Sequence, residues 1–417
     1  MFDMKILMVH KFYYVEGGAE RYVFNLTEVL EREGHTVIPF AMHHERNQDT
    51  PYKDYFSPYF NPEQLKSAKN PVSILKTASR TVYNKDAQQN LSRLIKETQP
   101  DIAHVHSVYH HLTPSIFKIL KEHGLPVMLT LHDYKLVCPN YIFLDGKNRV
   151  CEACKGKNYF YATLRKCFRQ SYAASFLVTL EAYFHKYLKS YLAHIDLMVS
   201  PSRFLGQKIA RYGYADIPIL VQPYTLDVDA YKPHYGSSDY IVFMGRLTHE
   251  KGVHFLLDAM KEIRGAQLML VGTGPLESQL RQRIANEGID NVIMPGYKSG
   301  EELRNLVSHA KFTVITSEWH DNSPLVIYES LSLGNAIVGA RMGGIPELIE
   351  DGKDGFVYEP GNRYDFIEKV QFLIDHPDKA IEMGRAGRKK AEREYAPREH
   401  YNKIMDLYAR TQELAQS

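Results

Sequence analysis

The chain has 417 residues, enough for two or three domains at ~150 residues each. Hydrophobic residues make up 44% and charged residues 24%, so a sizeable core can form and wholesale disorder is excluded. Lys and Arg total 51 against 49 Asp and Glu, which excludes a generally polybasic nucleic-acid binder while leaving room for a local patch.

In chain order, residues 5–9 form the first buried-strand pattern, followed by a loop with Gly17-Gly18 and a helical period over 19–32 that stops at Gly34. Residues 36–40, 102–106, 127–131 and 195–199 repeat the short apolar run of a buried strand. The series then restarts, with strands expected at 240–244, 267–271, 291–294, 312–316 and 336–339. Helices are expected near 253–263, from Pro275 to 286, at 300–309 and at 324–332. Alternation of this kind is the mark of a parallel sheet wound with helices, and two series predict two Rossmann-like, doubly wound α/β domains facing a central cleft. The expected boundaries are 1–199 and 200–394, with a proline-bearing hinge at 200–236 and a last amphipathic helix, 395–417, returning to the first domain. No apolar run reaches the ~18–20 residues of a membrane span, and the first residues lack a signal-peptide pattern, so the expectation is a soluble, cytoplasmic chain.

Three strand–loop–helix junctions could hold an anion on helix-terminal N–H groups. Gly17-Gly18 and Gly272-Thr273-Gly274-Pro275 are weak signals, since a glycine pair after a strand is often only a tight turn. The third junction runs from Gly245-Arg246-Leu247 to Glu250-Lys251-Gly252, and it adds a guanidinium and an ammonium suited to a diphosphate. His132 ends a strand in Thr130-Leu131-His132-Asp133, and His106 ends the preceding one. Asp227-Val228-Asp229 sits in the hinge and reads as a turn.

The segment 317–334, which contains Asp321-Asn322-Ser323-Pro324-Leu325-Val326 and Glu329, resembles the signature of family 4 retaining glycosyltransferases, which have the GT-B fold. The Gly245-Arg246-Leu247, Glu250-Lys251-Gly252, Gly272-Thr273-Gly274-Pro275 and Gly343-Gly344-Ile345-Pro346-Glu347 motifs resemble that family in order and spacing, strongly over 240–359 and more loosely before. The resemblance implies that Glu329 binds the nucleotide ribose and that Arg246 and Lys251 bind the donor diphosphate. It further implies that amides around Ser323–Val326 receive the distal phosphate, that His132 lies near the donor sugar, and that Gly17 and Gly18 lie against phosphate or acceptor. The family's E-x7-E is here D-x7-E, with Asp321 in the sugar-contacting position. Retaining transfer from a UDP-, GDP- or ADP-sugar, with no catalytic metal, is the implied chemistry. A GT-B nucleotide-sugar epimerase and a catalytically degenerate nucleotide-sugar-binding scaffold are the alternatives.

All four cysteines fall within 138–167, as Cys138, Cys151, Cys154 and Cys167. In a reducing compartment the spacing suggests a structural zinc on four thiolates, with four ordinary buried or oxidised thiols as the alternative. A similar cysteine-rich insert occurs in some bacterial members of the resembling family that build surface polysaccharides. Residues 147–189 carry nine Lys and Arg against Glu152 and Glu181, interleaved with aromatics. That composition fits an anionic bilayer at the inner face of the cytoplasmic membrane or a polyprenyl-diphosphate-linked glycan acceptor. It equally fits a solvated helix with its apolar stripe in the core. No nucleic-acid motif accompanies the charge.

Overall fold

The computed structural model describes residues 3–59, 79–236 and 238–417. It divides into two units, Met1–Pro223 with Tyr401–Ser417, and Tyr224–His400. The first unit is built on a six-stranded parallel sheet of β1 (Lys5–Val9), β2 (Thr36–Phe40), β3 (Ile102–Val105), β4 (Val127–Thr130), β5 (Leu197–Ser200) and β6 (Ile219–Val221). Its order is β2-β1-β3-β4-β5-β6. Ile6, Leu7 and Val9 are fully buried, as a strand covered on both faces requires, and this is why the run reads as continuously apolar.

The second unit repeats the plan with β7 (Tyr240–Met244), β8 (Gln267–Val271), β9 (Val292–Gly296), β10 (Thr313–Ile315), β11 (Ile337–Ala340) and β12 (Gly355–Tyr358). The order is β12-β11-β10-β7-β8-β9, and the paired strands are parallel. Ile241, Leu256, Leu268, Val338 and Phe366 form its core between sheet and helices.

Strand order determines where each sheet can bind a ligand. In the first sheet the winding reverses between β1 and β3, and in the second between β7 and β10. Open α/β sheets bind ligands beyond the carboxyl ends of strands at such a reversal, because the diverging loops leave a crevice there. Beyond β1, β3 and β4 stand His10, His106 and His132. Beyond β7 and β10 stand Gly245-Arg246 and Thr316-Ser317.

Three expectations shift. The boundary moves from 199 to Pro223, because β6 extends the first sheet and helix Arg203–Ile209 packs with it. The return to the first unit is counted from Tyr401, not 395: Tyr401 Oη lies 2.9 Å from His35 Nε2, and Tyr408 Oη lies 2.9 Å from His104 Nδ1. Pro275 precedes its helix, which spans Glu277–Glu287, so Gly272-Thr273-Gly274-Pro275 is a brace for its neighbours and not a helix N-terminus. β12 and helices Arg363–Asp375 and Pro377–Glu394 complete the second unit.

Candidate functional site

In the second unit the motif loops interlock through their backbones. The Gly245 amide donates to the Val271 carbonyl, and Leu247 N–H to Thr273. A Cβ on Gly272, whose φ is +138°, would lie 1.9 Å from the Gly245 carbonyl oxygen. Gly252, in the left-handed region at φ +68°, presses on Thr316, where a Cβ would stand 1.8 Å from the carbonyl oxygen. Thr316 Oγ1 in turn donates to the Lys251 carbonyl at 2.9 Å, and the Gly344 amide donates to the Asp321 carbonyl at 2.7 Å. The spacing of these glycines is therefore a packing requirement, and it fixes the side chains the loops carry.

Those side chains form one polar cluster. Lys251 Nζ donates to Asp321 Oδ2 at 2.5 Å, and Ser317 Oγ donates to the same oxygen at 3.2 Å. Lys251 also lies 5.4 Å from the centre of the Trp319 ring. Asp321, Asn322, Ser323 and Glu329 are buried, whereas Arg246 is exposed and has no carboxylate partner among the described residues. Helix Leu325–Ser332 follows Pro324, whose extended backbone makes it the cap. The first amides of that helix, at Leu325 and Val326, have no carbonyl one turn earlier to bind, so they present N–H groups and the positive end of the dipole. Glu329 lies one turn further along and accepts from Tyr231 Oη at 3.4 Å. Ser323 Oγ lies 2.7 Å from Tyr328 Oη, which fixes the turn into the helix.

In the first unit the polar groups are histidines. The rings of His104, His106 and His132 follow one another in a row, tilted by 35° and 32°, with centroids 4.2 and 5.2 Å apart. His106 Nδ1 lies 2.9 Å from His132 Nε2, and His106 Nε2 lies 3.0 Å from Met8 Sδ. A thioether only accepts, so His106 carries its proton on Nε2. A neutral His106 then accepts on Nδ1, and His132 donates from Nε2, leaving Nδ1 as its basic nitrogen. Burial, with the charge of His10 next, holds His132 at about 3, and burial likewise drives His106 far down, so both rings are neutral near pH 7.

Glu20 accepts from the Gly17 amide at 2.9 Å and so closes the start of helix Gly18–Arg32. Its other oxygen lies 3.5 Å from His10 Nε2 and 3.6 Å from Lys11 Nζ. Gly17 and Gly18 are exposed at that helix start. Sequence reasoning singled out His132 and, more weakly, His106; it missed His10, Lys11 and Glu20. The S-T-D-N capping preference gives no hint of a glycine cap backed by glutamate, although Glu three residues after the cap is a capping-box signal.

The four cysteines are free thiols that share one neighbourhood. Burial raises the Cys154 thiol most, and Cys138, Cys167 and Cys151 raise it further. Arg165 donates to Cys151 Sγ at 3.1 Å. The donor set suits zinc by type, but among the described residues no three Cys, His, Asp or Glu side chains are arranged to hold a metal ion.

Two parallel six-stranded α/β units with these loops define the GT-B class of fold. Anabaena HepE in complex with UDP-glucose is similar in structure, with a TM-score of 0.65 at 16% identity, covering 97% of this chain and 99% of that one. The model described as Glycosyltransferase Family 4 matches residues 16–230, just over half of the chain, and that described as Glycosyl transferases group 1 matches residues 229–390. The chain belongs to glycosyltransferase family 4. A 42.6 kDa protein in the cps region of Klebsiella pneumoniae is 24% identical over 360 residues, 83% of this chain and 87% of that protein. Alpha-D-kanosaminyltransferase of Streptomyces kanamyceticus is 29% identical over 154 residues, which span 35% of this chain and only 40% of that enzyme.

Proposed function

We propose that this chain is a retaining, metal-independent glycosyltransferase. It moves a sugar from a nucleotide-sugar donor to a glycan or lipid-linked glycan acceptor in bacterial surface polysaccharide synthesis. The observation that carries the reading is the pairing of Lys251 with Asp321 at the reversal of the second sheet, beside which we set the first amides of helix Leu325–Ser332, buried Glu329, and exposed Arg246 on the loop after β7. A nucleoside diphosphate suits it: cations and helix N–H groups for the phosphates, and a buried carboxylate for the ribose hydroxyls. The relative from a cps region supports polysaccharide as the product, and HepE supports a UDP-sugar as the donor type.

In the step itself the acceptor oxygen bonds to the anomeric carbon on the face from which the diphosphate departs, so configuration is retained. The anomeric C–O bond breaks with both electrons going to the phosphate oxygen. That oxygen takes the acceptor's proton. Arg246, Lys251 and the helix amides stabilise the growing negative charge, a role worth about 2.7–4 kcal/mol per well-placed donor. His132, which the family resemblance sets near the donor sugar, is neutral and so offers a lone pair without adding positive charge near an oxocarbenium-like centre. Asp321 reads a sugar hydroxyl while orienting Lys251.

A panel of UDP-, GDP- and ADP-sugars tests the proposal. One donor should give nucleotide release that rises on adding acceptor, with the anomeric configuration of the product unchanged. Nucleotide binding with no release from any donor would favour a scaffold, and 2-epimer formation would favour an epimerase. Structural zinc on Cys138, Cys151, Cys154 and Cys167 is a separate proposal that rests on the four-thiol donor set and its spacing in the sequence. Less than one equivalent of zinc in purified protein, with four reactive thiols, overturns it.

A further inference from the structure

Helix Tyr172–Tyr187 is built inside out. At about 100° per residue, Tyr172, Phe176, Tyr187, Leu180 and Phe184 fall within an arc of roughly 120°. All five are exposed, with Tyr172 at 58%, Phe176 at 47% and Tyr187 at 86%. The opposite face is polar and buried. There Glu181 accepts from Lys135 Nζ at 2.5 Å, His185 Nδ1 lies 2.9 Å from Ser190 Oγ, and Thr179 and Ser175 bond to residues 159–168. The reading that sets the stripe in the core is thus reversed, because the hydrogen-bonded polar face occupies the inside. Solvated helices do not leave five large apolar side chains in one row outward, and a contiguous apolar patch of this kind marks an interaction surface.

The charge around the stripe identifies what covers it. Arg165, Lys166, Arg169, Lys186 and Lys189 are exposed at its two ends. The ammonium of Lys166 stands 4.4 Å from the Tyr172 ring centre, and the Arg165 guanidinium 5.9 Å from that of Tyr161. Both acids of the 147–189 stretch are spent internally, Glu181 on Lys135 and Glu152 on Lys208 and Tyr212. The net charge of the stretch is therefore positive, with apolar and aromatic side chains between the cations. A second copy docked on the same face would set these cations against each other. An anionic bilayer meets both features, taking the aromatics into its interface while the cations pair with headgroup phosphates.

We propose that this helix face docks the protein on an anionic membrane surface, Phe176, Leu180 and Phe184 entering the interface and the flanking Lys and Arg holding the headgroups. It deepens the lipid-linked option for the acceptor, but docking itself requires neither donor nor transfer. The test is co-sedimentation of the full chain with phosphatidylglycerol-containing vesicles and with pure phosphatidylcholine vesicles. The wild type should bind the anionic vesicles, more weakly at high salt, and bind phosphatidylcholine at least tenfold less. The triple variant Phe176→Glu/Leu180→Glu/Phe184→Glu should lose about tenfold or more of the anionic binding while keeping the thermal midpoint and nucleotide release of the wild type. Equal binding by wild type and variant overturns the proposal, as does wild-type binding to neither vesicle. So does a wild-type dimer that the variant converts to monomer. Failure of nucleotide release with vesicle binding intact would sink the transferase reading and leave this one standing.

Discussion

At the carboxyl end of the second sheet the polar groups come from four short loops, each marked by glycines at fixed spacing. At the carboxyl end of the first sheet they come from His10, Glu20, His106 and His132, which no local pattern joins. Both sets sit at a reversal of strand order. The difference lies in how the side chains are held. The second unit positions them by backbone pressed on backbone, which only glycine allows, so the constraint is written into neighbouring residues. The first unit positions them by side chains packed on side chains from different strands, and that constraint leaves no spacing to read.

The largest expected effect tests the side-chain mode. Lys135 and Glu181 are 3% and 1% exposed and hold the inner face of helix Tyr172–Tyr187. Lys135→Met leaves a carboxyl buried without its partner, a loss of about 3–5 kcal/mol in urea unfolding. Adding Glu181→Leu should return most of it, since an apolar pair of similar volume avoids the buried charge. No recovery in the double variant would mean that the pair acts through other contacts.

In the second unit the expected loss is catalytic. Lys251→Ala should lower donor turnover about 10²–10³-fold, or about 2.7–4 kcal/mol, at an unchanged circular dichroism spectrum. Glu329→Ala should act mainly on KM for the nucleotide sugar. Full activity in both would show the donor site to be misplaced. Gly252→Ala should cost about 1–3 kcal/mol in stability, because its φ of +68° is combined with a Cβ position 1.8 Å from Thr316. Stability equal to the wild type would break the claim that backbone packing holds these loops.

These cases show why legibility was uneven. The strands were readable because parallel strands buried on both faces are apolar throughout, and Lys5–Val9, Thr36–Phe40, Tyr240–Met244 and Gln267–Val271 occupy the expected residues. β6 is apolar too, but at three residues, two of them exposed, the run is shorter than the other strands and follows Pro218 inside a proline-bearing stretch, so it was read as hinge, which displaced the boundary. Lys251 and Asp321 were each singled out, but their ion pair spans 70 positions and needs the order of β7 and β10 to be known. The inverted helix was legible as a basic, aromatic composition. Which face points outward depends on Lys135 and Glu181 finding each other, and periodicity alone cannot rank that pair against the apolar stripe.

The smallest expected effect concerns acid, and it separates the histidine row from an ordinary polar surface. His10 and His132 are held down to about 3, and His111 and His185 to about 4, chiefly by burial, against 6.5 when unperturbed. In that window the unfolded chain binds more protons than the folded one, so stability is fully present above about 6.5 and falls as the pH drops. Asp133 opposes this: burial raises it from 3.8 to about 6, and between those values the folded chain keeps a proton that the unfolded chain has lost. His106, His110 and His254 are lowered as well, and Glu31, Glu181 and Glu318 are raised with Asp133, so the depressed imidazoles outnumber the raised carboxyls and the balance is a net loss on acidification. A single histidine contributes at most about 0.7 kcal/mol between pH 7 and pH 6. His132→Asn should therefore shrink the difference between the unfolding free energies from urea titrations at those two pH values by up to that amount. It should also remove the ring that donates to His106 Nδ1, lowering turnover without adding an inflection near 6.5. An unchanged pH difference would mean that His132 is solvated and free to protonate, and that the first unit does not hold a neutral base.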